Sequence, residues 1–332
     1  MRLNELDALF TLQKITLVLG PACNILCRHC LQTKAKKRSW EHELDDGIMK
    51  LLSLWSHNVK TDKRLLFKKP MLLFYGGEPL LYYDRLQEIM NKLAWFSFDF
   101  DAVELKLFTN GLLLKDDMAQ FFNKYGINVV LSYDGPNLYA VRPELASEAN
   151  IEAWQKIKNK GVATCLTRFN QDYLKTMLFL KKKFRTNDVS IEMVYVNWDM
   201  PKDIYAFPKG YLADQLERII TYYTHNRLDK SFLTFTKNYL GKVTGRYRNI
   251  SIATDGLVLG NRFELNEAGR TTYEYACHSC EKNIVCPFAG KRMPSGKDCE
   301  MGNDFYLAYL RYRPRLEALL ERDYDYLLTQ NY

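Results

Sequence analysis

Apolar and β-branched runs recur through the first two hundred residues, each followed by a stretch with helical spacing. The runs that read as strands are "KITLVLG" from Lys14, "PMLLFYG" from Pro70, "VELKLFT" from Val103, "INVVLSY" from Ile127, "VATCLTR" from Val162 and "VSIEMVYV" from Val189. Near-continuous apolar strands alternating with helices are the pattern of a parallel sheet with crossover helices, so six strand-helix units of the α/β class are predicted. One predicted helix sets Ile48, Leu51, Leu52 and Trp55 on one face behind Asp45 and Asp46, and another sets Leu86, Ile89, Met90 and Leu93 together.

Near residue 200 the alternation stops. A helical bridge follows, with Leu212, Leu216, Ile219, Ile220 and Tyr223 on one stripe. "SIATDGLVLG" then reads as a hairpin turning on Asp255-Gly256. A cysteine-rich segment runs from Cys277 to Cys299, and a helical tail interrupted at Pro314 closes the chain. The expected organisation is a core over 1–200, a helical bridge over 201–248, a cysteine-rich domain over 249–305 and a helical tail over 306–332.

Composition narrows the class. The chain has 332 residues, 47% of them hydrophobic and 14% aromatic, enough to bury a large core, which argues against disorder. "MRLNELDALF" lacks the basic start and apolar centre of a secretory signal, and no apolar run approaches a membrane span, so a cytoplasmic protein is expected. In a reducing compartment its eight cysteines read as metal ligands or catalytic groups rather than disulfides. The formal charge of +8 comes with short basic bursts, such as Lys34, Lys36, Lys37 and Arg38, or Lys181, Lys182, Lys183 and Arg185. Such bursts are either solvated surface or an attraction for an acidic peptide or a phosphate backbone.

Cys23, Cys27 and Cys30 stand in "CNILCRHC", directly after the first strand, which puts them on a loop at its C-terminal end. Taken alone, three thiols at this spacing could be part of a zinc site with His29 as fourth ligand. The later motifs fall in order at strand ends: "YGGEP" (Tyr75 to Pro79), "FTNG" (Phe108 to Gly111), "SYDGP" (Ser132 to Pro136) and "TRFN" (Thr167 to Asn170). Together with the cysteine loop, this series resembles the radical S-adenosylmethionine (radical SAM) superfamily over about residues 14–200.

That resemblance implies a partial (β/α)6 TIM-like barrel whose three cysteines hold a 4Fe-4S cluster with one open iron, chelated by S-adenosylmethionine. His29 fills the place before the third cysteine where the family commonly has an aromatic or a histidine. Gly76, Gly77 and Glu78 would hold the methionine ammonium, with Thr109 and Asn110 in the next strand-end motif. Ser132 and Asp134 would face the ribose or the methionine portion, Arg142 the carboxylate and Asn170 the nucleoside. Cys165 is either an inert strand residue or a hydrogen-atom donor to a substrate radical. If Arg168 and Asn170 point into the barrel, strand alternation turns Cys165 outward.

The second group is Cys277, Cys280, Cys286 and Cys299. Zinc is one reading of it, although a second C-x-x-C pair is absent. Its spacing resembles the SPASM/twitch-type extension of peptide-modifying radical SAM enzymes, with departures: Gly290 stands where a cysteine is expected, and Gly260 lies near another missing one. The resemblance thus implies one auxiliary 4Fe-4S cluster held by all four cysteines, hence two clusters in all. With seven thiolates in clusters the net charge would fall to about +5.

The activity implied is reductive cleavage of S-adenosylmethionine to a 5′-deoxyadenosyl radical that takes a hydrogen atom from substrate. A peptide is the leading substrate, modified by cross-linking, dehydrogenation or epimerisation. The alternatives are a small molecule, a nucleoside or a base in nucleic acid, and, in a different class, a non-catalytic metal-binding scaffold, against which the intact Gly76-Gly77-Glu78 segment argues. An electron donor such as flavodoxin or ferredoxin is implied as partner. Fewer than 20 residues precede the first strand, so a separate peptide-recognition protein is a further expected partner.

Overall fold

The computed structural model describes residues 10, 12–30, 45–59, 69–142, 150–193, 204, 207–232, 249–253, 258–259 and 296–329. All six expected strands form: β1 (Lys14–Val18), β2 (Met71–Tyr75), β3 (Glu104–Thr109), β4 (Asn128–Ser132), β5 (Lys160–Leu166) and β6 (Val189–Met193). They pair in parallel in chain order, and β1 continues on its other side into β7 (Asn249–Ala253), which turns back antiparallel into β8 (Val258–Leu259). Among the described residues the spatial order is β6-β5-β4-β3-β2-β1-β7-β8, with β6 and β8 at the two edges. The two strands flanking Asp255-Gly256 thus pair as expected, with the turn itself outside the described residues. Their parallel attachment to β1 is an addition to the sequence reading.

Register divides the sheet into two faces. Leu17, Phe74, Leu107 and Val129 are aligned across four strands, as are Leu131 and Val162, and all six belong to one buried apolar cluster. The helices cover this face: α1 (Asp46–Asn58), α2 (Tyr83–Trp95), α3 (Asp116–Lys124), α4 (Ile151–Gln155) and α5 (Tyr173–Phe184). They contribute Met49, Leu52, Trp55, Leu86, Phe122, Trp154, Leu180 and Phe184 to the same core. Asp45 caps α1 by accepting from the Gly47 N–H. On that helix Met49 is buried and Leu51 is exposed, so the buried stripe includes a residue the sequence reading passed over and omits one it included.

The other face is concave. β3 shows the division most clearly, with Leu105, Leu107 and Thr109 buried and Glu104, Lys106 and Phe108 half-buried on the opposite side. Tyr75 meets Phe108 edge-on at 6.4 Å, and the Lys106 ammonium lies 5.7 Å from the Phe108 ring centre. Cys165 belongs to this concave face. Ser132 and Ala163 are paired and lie one residue off the buried Leu131–Val162 row, and Cys165 follows Ala163 by two. The expectation that it turns outward is therefore corrected. The strand ends at Leu166 and residues Arg168–Asn170 form a 3-10 turn, so alternation does not carry across to Asn170.

Beyond the sheet, α6 (Tyr211–His225) buries Leu212, Leu216, Ile219, Ile220 and Tyr223 as predicted. It packs along α7 (Gly296–Arg322), which precedes the short α8 (Tyr324–Thr329). The tail is not interrupted at Pro314, because α7 runs through it. Tyr309, Tyr312 and Leu316, on either side of the proline, are buried in the shared core and hold the helix together despite the missing backbone donor. No helix among the described residues is long and apolar enough to cross a membrane.

Candidate functional site

The cysteine loop leaves β1 and is sewn to the end of β2 by backbone hydrogen bonds. The Leu19 N–H donates to the Tyr75 carbonyl at 2.8 Å, Gly77 N–H to the Gly20 carbonyl at 2.9 Å, and Glu78 N–H to the Ala22 carbonyl at 2.8 Å. This approach requires the two glycines. A Cβ on Gly76 would lie 2.3 Å from the Gly20 oxygen, and one on Gly77 would lie 2.0 Å from the Ala22 oxygen. Tyr82 closes the turn from below by accepting from the Ala22 N–H at 2.8 Å. Further along, Arg28 holds the loop to the segment after β4, its N–H on the Val141 carbonyl at 2.8 Å and its guanidinium on the Ala140 carbonyl at 2.9 Å.

Glu78 is buried and binds three donors across two strand ends. One carboxylate oxygen accepts from the Leu80 N–H at 3.0 Å and the Thr109 hydroxyl at 2.7 Å, and the other from the Asn110 N–H at 2.8 Å. Burial pushes its carboxyl pKa up, and the bonds from Asn110, Thr109 and Leu80 offset only part of that rise. Asn110 in turn donates from its side chain to Asn24 Oδ1 at 2.7 Å, inside the cysteine loop. The carboxylate thus sets the position of Asn110, and Asn110 holds the loop.

At the ends of β4 and β5 a second buried carboxylate organises the site. Asp134 is fully buried, accepts from Thr164 Oγ1 at 2.9 Å and from the Cys165 N–H at 3.3 Å, and pairs with the Nε of Arg142. His29 Nε2 stands 3.7 Å from the same carboxylate. Burial alone would raise the Asp134 pKa, but the charges of Arg142 and His29 hold it below the ordinary carboxylate range. Burial works in the opposite sense on Arg142, where the charges of Asp134 and Cys27 prevail and keep it protonated. The guanidinium Nη1 reaches Cys27 Sγ at 3.6 Å, which joins this cluster to the cysteine loop.

Asn170 is buried among the same groups. Its carbonyl accepts from the Thr167 N–H at 2.6 Å and the Thr167 hydroxyl at 2.8 Å, while its amide faces the Asp134 and Cys165 carbonyls and Thr164 Oγ1 at 3.1 to 3.2 Å. Ser132 is half-buried on the concave face one residue before Tyr133. Of the site residues read from sequence, the fold brings Cys23, Cys27, His29, Cys30, Gly76, Gly77, Glu78, Thr109, Asn110, Ser132, Asp134, Arg142, Cys165 and Asn170 to the C-terminal ends of β1 to β5. Cys277, Cys280 and Cys286 lie outside the described residues; Cys299 lies in the first turn of α7, with its side chain outside them.

Tyr82, Asn24 and Thr164 were not picked out in the sequence, and each bonds directly to a motif residue. Their signal was position only: Asn24 lies inside the cysteine motif, Thr164 two residues before the end of β5, and Tyr82 three residues after "GGEP".

The donor set suits an iron-sulfur cluster and S-adenosylmethionine. None of the four described cysteines is in a disulfide. Among the described residues no three His, Cys, Asp or Glu side chains form a group that could hold a metal ion, and the chemistry of Cys23, Cys27 and Cys30 is that of soft thiolate donors, the ligand type iron-sulfur clusters use. The buried pair of Asp134 and Arg142 sets a cationic donor next to Cys27, a charge complement to the carboxylate of an amino-acid ligand.

No protein-family model matches the chain. The radical SAM cyclopropyl synthase TigE of Paramaledivibacter caminithermalis is 22% identical over 143 residues, which are 41% of this chain and 30% of that protein. The serine-type anaerobic sulfatase-maturating enzyme of Bacteroides thetaiotaomicron is 27% identical over 124 residues, 35% of this chain and 28% of that one. The matched stretch therefore spans less than a third of either curated relative. In fold, anSMEcpe bound to AdoMet and the Kp18Cys peptide aligns over 93% of this chain and 99% of its own, with a TM-score of 0.64 at 16% identity. Streptococcus suis SuiB bound to precursor peptide SuiA aligns over 77% of this chain and 61% of its own, with a TM-score of 0.54 at 15% identity. The chain thus has the fold of these solved structures, and over part of its length it is similar in sequence to a radical SAM cyclopropyl synthase and a sulfatase-maturating enzyme, with the cysteine loop, the Gly-Gly-Glu turn and the buried acids gathered at its strand ends.

Proposed function

We propose that this protein is a radical SAM enzyme that modifies a peptide. The observation that carries the proposal is the backbone stitching of the cysteine loop to the Gly76-Gly77 turn, which fixes the segment that bears Cys23, Cys27 and Cys30 against the end of β2. Cys23, Cys27 and Cys30 would hold a 4Fe-4S cluster. Gly76, Gly77 and Glu78 would hold the methionine ammonium of S-adenosylmethionine, with Thr109 and Asn110 as further cofactor-binding residues, Arg142 its carboxylate, Ser132 and Asp134 the ribose or methionine portion, and Asn170 the nucleoside. When bound, the pair supplies one-electron chemistry that removes a hydrogen atom from an unactivated carbon.

The chain's own residues then have two tasks. The apolar helices behind the sheet seal its convex face, and the strand-end residues hold the reacting partners at fixed distance, which lowers the entropic part of the barrier. Glu78 and Asp134, buried and saturated with donors, keep Asn110 and Arg142 in place before any ligand arrives. Cys277, Cys280, Cys286 and Cys299 would hold one auxiliary 4Fe-4S cluster, in a SPASM/twitch-like segment over 249–305 that follows the core of 1–200 and the helical bridge of 201–248 and precedes the tail of 306–332.

A peptide substrate is supported by the peptide-bound states of the two fold relatives, anSMEcpe and SuiB. A flavodoxin or ferredoxin would deliver the electron, and a separate recognition protein would present the peptide. The test is anaerobic reconstitution with iron and sulfide, then incubation with S-adenosylmethionine and dithionite. Formation of 5′-deoxyadenosine that disappears in Cys27→Ala is the expected result, and its absence from the iron-loaded parent protein would overturn the proposal.

A further inference from the structure

Arg142 is anchored more firmly than ligand binding alone demands. Its backbone N–H donates to the Leu138 carbonyl at 3.0 Å, its Nε pairs with Asp134, and its side chain is 9% exposed. Asp134 is itself immobilised from the β5 side by Thr164 and the Cys165 N–H. The consequence of this chain of contacts is a guanidinium Nη1 aimed at Cys27 Sγ, 3.6 Å away. A hydrogen bond from a cationic donor withdraws electron density from a ligand sulfur, and hydrogen bonds to the sulfurs are among the factors that set the potential of an iron-sulfur cluster.

We propose that Arg142, clamped by Asp134, is a positioning residue that donates to the Cys27 sulfur and raises the reduction potential of the cluster held by the cysteine loop. This rests on the proposed function, since it takes Cys27 as a cluster ligand. It adds to the carboxylate contact assigned to the same residue, because it acts whether or not S-adenosylmethionine is present. The physical sense is that a reduced cluster carries one more negative charge, which a fixed positive charge in a water-poor site stabilises. His29, 3.7 Å from the Asp134 carboxylate, shares that carboxylate with Arg142 from inside the loop.

The test is a redox titration of the reconstituted protein without S-adenosylmethionine, followed by electron paramagnetic resonance. The signal of the loop cluster is the one that changes when S-adenosylmethionine is afterwards added to the parent protein. Arg142→Gln should move its midpoint to more negative potential by at least about 59 mV, a tenfold change in a one-electron equilibrium. Arg142→Lys, which keeps the charge and loses the fork, should fall between the two. An unchanged midpoint in Arg142→Gln, with S-adenosylmethionine affinity alone reduced, would overturn the inference and leave Arg142 as a ligand contact only. Should Arg142→Gln take up no iron, Arg142→Lys is titrated in its place, and a midpoint unchanged from the parent there overturns the inference equally. Absence of the loop cluster from the parent protein would instead refute the proposed function, an outcome read directly from iron content.

Discussion

Gly77 has no room for a methyl group, because the position a Cβ would take is 2.0 Å from the Ala22 oxygen and 2.4 Å from that of Pro21. Both neighbours are backbone of the cysteine loop, so Gly77→Ala must push that loop away from β2. The expected cost is roughly 1–3 kcal/mol or more, with a loss of iron uptake that is larger than the loss of thermal stability. Iron per chain and melting temperature on the same sample check this. Glu78→Gln is a milder change of shape with a different fault. An amide presents one acceptor and one donor where Glu78 accepts on both oxygens, so either the Asn110 N–H or the Thr109 and Leu80 donors face an NH2 group. Destabilisation of about 1–3 kcal/mol is expected, read from denaturant midpoints. These two positions stood out in the sequence as a motif, whereas Tyr82 and Asn24 did not, because their importance comes from contacts with residues 60 and 86 positions away.

Among the elements, the pair α6 and α7 shows what pattern can and cannot disclose. The α6 stripe was legible because its apolar residues repeat at helical spacing. The continuity of α7 through Pro314 was not, since a proline reads locally as a break and only the buried Tyr309, Tyr312 and Leu316 override it. Likewise the hairpin was legible from its turn residues, but its place against β1 was not, because strand partners distant in sequence leave no local mark. Charged contacts tie α7 to both ends of α6: Asp304 accepts from the Gly210 N–H at 2.8 Å, and Asp323, just after α7, from the Leu228 N–H at 2.8 Å. Arg322 bonds both Asp323 oxygens and the Thr224 and Asn226 carbonyls. Asp323→Ala strands the buried Leu228 N–H and should destabilise by about 1–3 kcal/mol. The bonds from Arg322 hold the Asp323 pKa below the ordinary carboxylate range. The unfolded chain therefore binds the proton more readily, so this contribution is full above the ordinary range and is lost as pH falls through the depressed value. A thermal-unfolding series across the acid range should show a smaller acid loss in Asp323→Ala than in the parent.

For the whole molecule, the sheet gathers motifs spread over almost 150 residues, from Cys23 to Asn170, at one end of five adjacent strands. That convergence was legible from order alone, since each motif follows an apolar run and parallel strands present the same end. The direction of Cys165 was not, because it depends on where β5 stops and the 3-10 turn begins. The measurement that bears most directly on the whole account is iron content together with the electron paramagnetic resonance spectrum of the dithionite-reduced protein, before and after S-adenosylmethionine is added. About eight irons per chain and a spectrum that changes on addition are expected, with Cys27→Ala losing about four irons and the change together. A fully iron-loaded protein whose spectrum ignores S-adenosylmethionine would contradict that expectation.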